Sequence, residues 1–159
     1  MEAGDTPVLV HNCGNAPDFV QAAHRDIADE HVTTGRIFDS EGNPLGEEDG
    51  VHQLVSGSDR LSPSTNAHLH EAAANGDEAI PAIHRLGRYP QDTHVESKYA
   101  AWMRDSGTTE ADVVINHPEG MCSDFHNCVD AVGAILPRNS VMRVWERGAT
   151  EAREIWGRA

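Results

Sequence analysis

Short strands and amphipathic helices alternate along most of this 159-residue chain, which predicts an α/β fold, a three-layer α/β/α sandwich around a mixed sheet of about five strands. Two further observations support it. The run Ala111 to Asn116, ADVVIN, is a short apolar strand enclosed by two helical patterns, as in a sheet covered on both faces. The length suits one compact domain with a real core, and no internal repeat or low-complexity tract divides it.

The elements follow in order. Asp18 to Val32 places Phe19, Val20, Ala23, Ile27 and Val32 near helical spacing after a Pro17–Asp18 start, predicting an amphipathic helix. Arg36 to Phe38 and Val51 to Val55 read as strands joined by a long hairpin connection, Ser40 to Gly50. Ser56 to Pro90, interrupted by Pro63, Gly76, Pro81 and Gly87, reads as loop with one short helix around Asn66 to Ala74. Thr93 and Glu96 have capping-box spacing ahead of a stripe of Val95, Tyr99, Trp102 and Met103, and Gly107 ends that helix. After the ADVVIN strand come a helix from Asn127 to Leu136 stopped by Pro137, a strand from Val141 to Trp145, and an edge strand from Arg153 to Trp156.

Composition limits the function classes. There is no 18-residue apolar run and no basic, then apolar, leader at Met1 to Pro7, so neither a membrane span nor a secretion signal is read. Three cysteines, at 13, 122 and 128, are too few for a disulfide framework, and the 122/128 pair is expected as reduced thiolates in a reducing cytosol. Lys and Arg number 3 against 15 Asp and Glu in residues 1 to 80, and 9 against 11 in the remainder, giving a net charge of −14. Such a charge opposes nucleic acid at long range, although local clusters can bind. The candidates are Arg85, Arg88, Lys98, Arg104, Arg138, Arg143 and Arg147, any of which can equally be a solvated surface residue.

The chemistry concentrates between His94 and Cys128. His94, Cys122 and Cys128 suit zinc, with bonds of about 2.0 Å to nitrogen and 2.3 Å to sulfur, and they leave the fourth tetrahedral position to water. Glu96, two residues past His94, is placed to move protons rather than to ligate. Both ligand segments open helices, whose dipoles offset thiolate charge. Separately these signals are weak: ten histidines make chance His-x-Glu pairs expected, and two nearby cysteines can be small core residues. A structural Cys₂His₂ zinc site with His117 or His126 as fourth ligand is the stronger alternative.

The segment HVESKYAAWMRDSGTTEADVVINHPEGMCSDFHNC, His94 to Cys128, resembles the DddA-like deaminase toxins of bacteria, and the likeness continues through Ile135 to Pro137 and Arg147 to Thr150. It covers about residues 33 to 156, tightly from 94 onward. The resemblance implies a cytidine-deaminase fold, zinc on His94, Cys122 and Cys128, Glu96 as proton shuttle, and deamination of cytosine in DNA. The five residues between the cysteines, where the general signature has two, reshape the pocket rim. Thr6 to Cys13, TPVLVHNC, resembles the end of a Hint-type self-cleaving domain, with His11 assisting and Asn12 cyclising. The chain then divides into a junction remnant, 1–13, a leading helix or linker, 14–32, and a deaminase domain, 33–159. It would be the effector tip of a longer secreted toxin, delivered to the target cytoplasm and held in check by a cognate immunity protein.

The expected activity is conversion of cytosine to uracil in DNA by a monomer, with single strands slightly favoured because no base need be unpaired. Phe125, Tyr89, Asn116 and Arg88 are the candidates for substrate contact, with Trp102 better placed in the core. Deamination of free nucleosides or RNA, and a non-catalytic zinc-stabilised binding module, are the competing readings.

Overall fold

The computed structural model describes residues 15–84, 86–122 and 127–159. Helix α1 (Asp18–Ile27) precedes strands β1 (Thr34–Phe38) and β2 (Gln53–Val55); α2 (Ser62–Ala74), a 3-10 turn (Pro90–Thr93) and α3 (Val95–Ser106) follow, then β3 (Glu110–Ile115), α4 (Cys128–Ile135), β4 (Val141–Trp145) and β5 (Arg153–Trp156). The five strands form one mixed sheet in the order β2-β1-β3-β4-β5. Only β3 and β4 are parallel, with Val113 opposite Val144, while every other neighbouring pair is antiparallel. The predicted α/β sandwich is therefore the observed fold.

The layers follow from burial. Val20, Ala23 and Ile27 of α1 pack with Phe38, Val114 and Trp145 on one face of the sheet. On the other face α2, α3 and α4 share a larger core that includes Leu69, Tyr99, Met103, Val132 and Ile135. Helix α3 sits close to the sheet at Gly35, where a Cβ would lie 2.6 Å from Val95. Only glycine admits that approach. The Tyr99 hydroxyl lies 2.8 Å from the Gly35 carbonyl and 3.0 Å from that of His52, and it accepts the Leu54 N–H at 3.1 Å, tying the β1–β2 hairpin to α3. Among the described residues no helix is long and apolar enough to cross a membrane.

Several elements depart from the sequence reading. Helix α1 ends at Ile27, and Val32 is exposed rather than part of its stripe. Helix α2 starts four residues before the short helix expected at Asn66, because Pro63 falls in its first turn, where a missing N–H costs nothing. Asp59 and Ser62 secure that start: Asp59 N donates to Ser62 Oγ at 3.1 Å, and Asp59 Oδ1 accepts from Leu61 N at 2.8 Å. The expected capping box also differs. Thr93 closes the 3-10 turn and donates to the Pro90 carbonyl, so His94 in extended conformation is the N-cap of α3 and Glu96 lies one position earlier than expected.

Asn116 joins the layers. Its Oδ1 accepts from Thr34 N at 2.7 Å, while its Nδ2 faces the carbonyls of Ile27 at 3.0 Å and Val32 at 3.2 Å. One buried amide thus connects the end of α1, the start of β1 and the end of β3. Asn116→Ala leaves these backbone groups unpaired and is expected to destabilise the protein by about 2–3 kcal/mol. Urea unfolding checks this, and a midpoint unchanged from wild type would show the amide to be dispensable.

Candidate active site

Three chain segments meet at the edge where β3 ends. His94 leaves the 3-10 turn in extended conformation, φ −83° and ψ 137°, and its carbonyl accepts the Lys98 N–H at 3.1 Å. Cys128 is the first residue of α4, which Asn127 caps by accepting the Val129 N–H at 2.8 Å. Cys122 follows a turn at His117–Gly120 in which Gly120 has φ +71° and donates to the His117 carbonyl. A side chain at Gly120 would meet the Glu146 carboxylate at 2.6 Å. That carboxylate accepts the Met121 N–H at 2.8 Å and pairs with Arg153 at 3.3 Å, so the end of β4 fixes the loop that presents Cys122.

One side-chain nitrogen or sulfur from each of His94, Cys122 and Cys128 lies within 4.8 Å of the others. His94 Nδ1 is 2.8 Å from Cys128 Sγ and 3.7 Å from Cys122 Sγ. The cysteines are joined as a disulfide with Cα atoms 5.6 Å apart, which corrects the expectation of two free thiolates. The same proximity that permits the bond is what a metal shared by two thiolates requires. Ligands about 2.0 and 2.3 Å from a tetrahedral zinc stand about 3.5–3.8 Å from one another. The His94–Cys122 separation already has that value, and reduction of the pair would free both sulfurs to serve as ligands. These residues fit a metal. His117 lines the same cavity but is not grouped with the three ligand atoms, and His126 lies outside the described residues.

Glu96, in the first turn of α3, is 4% exposed and lines the same cavity of about 380 Å³. Burial raises its carboxyl pKa, with its own backbone N–H and the nearby His117 acting in the opposite sense. Thr33, Ser56 and Gly57 form part of the cavity wall. Lys98, fully buried, holds that wall: its Nζ donates to the Val55 carbonyl at 2.6 Å, the Gly57 carbonyl at 3.0 Å and Asp59 Oδ2 at 2.6 Å. Gly57 N–H in turn reaches the Thr93 carbonyl at 2.9 Å, beside His94. Thr33, Ser56, Gly57 and Glu146 carried no signal in the sequence, and Lys98 was a candidate only as a surface cation, because the contacts that matter are distant along the chain.

The other sequence candidates separate clearly. Tyr89 is buried, donates to the Pro81 carbonyl and packs edge-on against His70, away from the residues lining the Glu96 cavity. Asn116 spends its amide on the fold, as described above. Arg88 forms a bidentate pair with Asp92 and also lies outside that lining. Trp102 is a core residue whose Nε1 donates to Asp49 at 2.9 Å. Phe125, His11, Asn12 and Arg85 lie outside the described residues. Of the remaining basic candidates, Lys98 is buried, Arg104 pairs with Glu71, and Arg143 pairs with Glu110 and Asp112. Arg138 and Arg147 are exposed.

Two comparisons bear on this site. The profile of the SCP1.201-like deaminase family matches residues 10–158. A 76-residue stretch is 41% identical to the double-stranded DNA deaminase toxin A of Burkholderia cenocepacia strain H111, covering 43% of this chain and 5% of that protein's length.

Lys98→Met is expected to cost about 3 kcal/mol, the lower end for breaking a buried ion pair because Asp59 can reach solvent. It should also loosen residues 55–59. Hydrogen exchange of the Gly57 amide is the check, and wild-type protection in the variant would show that Lys98 does not hold the wall.

Proposed function

The chain belongs to the SCP1.201-like deaminase family, and from that membership and the site geometry we propose that it is a zinc-dependent deaminase converting cytosine to uracil in DNA, the effector segment of a longer secreted bacterial toxin. The observation that carries the reading is the convergence of His94, Cys122 and Cys128 beside the buried Glu96 in one cavity. Zinc held by those three residues supplies the Lewis acidity that makes water a nucleophile near neutral pH.

Glu96 does the proton work. Its carboxylate takes a proton from the attacking water and gives it to pyrimidine N3, and a second transfer lets ammonia leave from C4. Water and cytosine thus become uracil and ammonia. Burial strengthens each interaction the carboxylate makes with the reacting atoms. Thr33 and Ser56 line the cavity, and their hydroxyls are the groups we assign to the edge of the base. The turn at His117–Gly120 closes another side and fixes the approach to Cys122.

A base within a duplex cannot present C4 to such a cavity, so it must be flipped out or already unpaired. The relative's name specifies double-stranded DNA, and the shared stretch favours that form. The net charge of −14 favours a single strand, which needs fewer phosphate contacts, and we retain the single strand as the preferred substrate. Free nucleosides and RNA are the competing substrates. An enzyme that edits DNA endangers its producer, so a cognate immunity protein covering the cavity mouth belongs to this reading. The Hint-like junction at His11 and Asn12 would release the effector from its parent protein.

Two predictions test the reading. Purified reduced protein should carry about one zinc per chain, and Cys122→Ala and Cys128→Ala should each lose the metal together with thermal stability. Elemental analysis decides it, and full zinc occupancy in both variants would remove the site. Glu96→Ala should keep zinc and fold while cytosine deamination falls by about two orders of magnitude or more. Uracil formation on single-stranded DNA, duplex DNA and free cytidine, measured across a salt series, gives the substrate in the same experiment. Retained turnover in that variant would exclude Glu96 as the shuttle, and turnover confined to cytidine would exclude DNA.

A further inference from the structure

Among the described residues three arginines have neither an ion pair nor a side-chain hydrogen bond, and two of them share one place. Arg25 on α1 and Arg147 after β4 are exposed, have no ion-pair or side-chain hydrogen-bond partner among the described residues, and line the same cavity of about 430 Å³. Arg138 lines a different cavity, together with Glu71, Asp77, Glu78 and Asp130. The Arg25–Arg147 cavity has no Asp or Glu in its lining, whereas the four other principal cavities each include at least one carboxylate. In a chain with 26 acidic residues that is a marked local exception. Gln21, Asn116 and Thr150 complete a polar lining. His24, also in the lining, has its pKa lowered by burial, and the charge of Arg147 acts in the same direction.

Position relates this cavity to the catalytic one. Because β3 and β4 are parallel, the residues that follow them emerge at the same sheet edge. Asn116 lines the arginine cavity and His117, the next residue, lines the Glu96 cavity. Likewise Glu146 holds the loop of Cys122 while Arg147 faces the second cavity. The two hollows therefore adjoin across the edge, one on the α3–α4 face and the other on the α1 face.

We propose that the Arg25–Arg147 cavity seats a backbone phosphate of the nucleic-acid strand whose cytosine occupies the Glu96 cavity. The inference rests on the nucleic-acid reading above. A phosphodiester supplies the negative charge and acceptor oxygens that two free guanidiniums can bind. The strand then runs from the catalytic hollow over the His117 turn to the α1 face. Phosphate contacts of this kind set register and contribute affinity without reading sequence.

The test is oligonucleotide binding to the Glu96→Ala protein, which removes turnover from the measurement. Arg25→Gln and Arg147→Gln, singly and together, should weaken binding uniformly whatever bases flank the cytosine. Each phosphate of a single strand that the variant no longer neutralises should reduce the slope of log affinity on log salt by ~0.7. Arg138→Gln, with the same charge change as either single variant, should leave that slope unaltered. In protein retaining Glu96 the double variant should raise KM for the oligonucleotide while kcat is largely kept. An unchanged slope in the double variant, or an equal effect from Arg138→Gln, overturns the proposal. Inorganic phosphate binding at Arg25 and Arg147 without competing against the oligonucleotide also overturns it, marking a free-anion site. Absence of cytosine deamination in wild-type protein defeats the functional reading instead, and the binding slopes remain a separate result.

Discussion

The parallel pairing of β3 and β4 is the constraint on which the site depends. Two parallel neighbours cannot be joined by a hairpin, so the chain must cross back over the sheet, and α4 is that crossover. It starts at the edge where β3 ends and returns the chain to the start of β4. Helix α3 is joined to β3 through Gly107, in left-handed conformation with φ 77°, so its N-terminus lies at that same edge. His94, Cys122 and Cys128 come from three separate segments, but this topology gives all three one address. Both helix N-termini at that address favour negative charge, which would suit a carboxylate and, once the disulfide is reduced, two thiolates.

A buried polar framework then fixes what topology only approximates. Lys98, Asn116 and Tyr99 each connect segments far apart in sequence, through hydrogen bonds to backbone carbonyls or amides. Their burial is tolerable because the groups are paired, and the pairing makes the connected segments move as one. Glu96 is different. It is almost fully buried, and the neighbouring Glu146 charge opposes its ionised form while His117 favours it. A carboxyl kept in such surroundings is what the proposed proton-transfer role would require.

How far the sequence discloses this depends on the range of the interaction. The ADVVIN strand, the α4 pattern and the stop at Pro137 are local, and they match β3 and α4 closely. That His94, Glu96, Cys122 and Cys128 come together at one cavity was anticipated from residue types that are unusual in combination, whereas the disulfide between the cysteines was not. Helix α2 was understated because Pro63 resembles a breaker until its first-turn position is known. Tyr89 and Asn116 were candidates for substrate contact on residue type alone, and both are instead occupied by backbone groups of the fold. The walls at Thr33 and Ser56–Gly57 consist of ordinary loop residues, made part of the cavity by Lys98 across more than forty positions.

The same topology eases the tension between an acidic chain and the proposed phosphate ligand. Strand β1 runs antiparallel to β3, with Gly35 opposite Ile115 and Phe38 opposite Asp112, so the connection that follows Phe38 leaves from the edge opposite the site. That connection carries Glu41, Glu47, Glu48 and Asp49. The six residues of β3 separate the two edges by about 20 Å at ~3.3 Å per residue. At physiological salt the Debye length is only about 8 Å, so these carboxylates are screened from a phosphate beside Arg147. Asp29 and Glu30, between α1 and β1, remain nearer and lower the local potential. On the proposed reading, net charge would slow the approach of nucleic acid, whereas Arg25 and Arg147 would govern what happens on contact. Affinity concentrated in so few phosphate contacts would be weak, and on the proposed reading weak contacts would let a strand be released after each turnover.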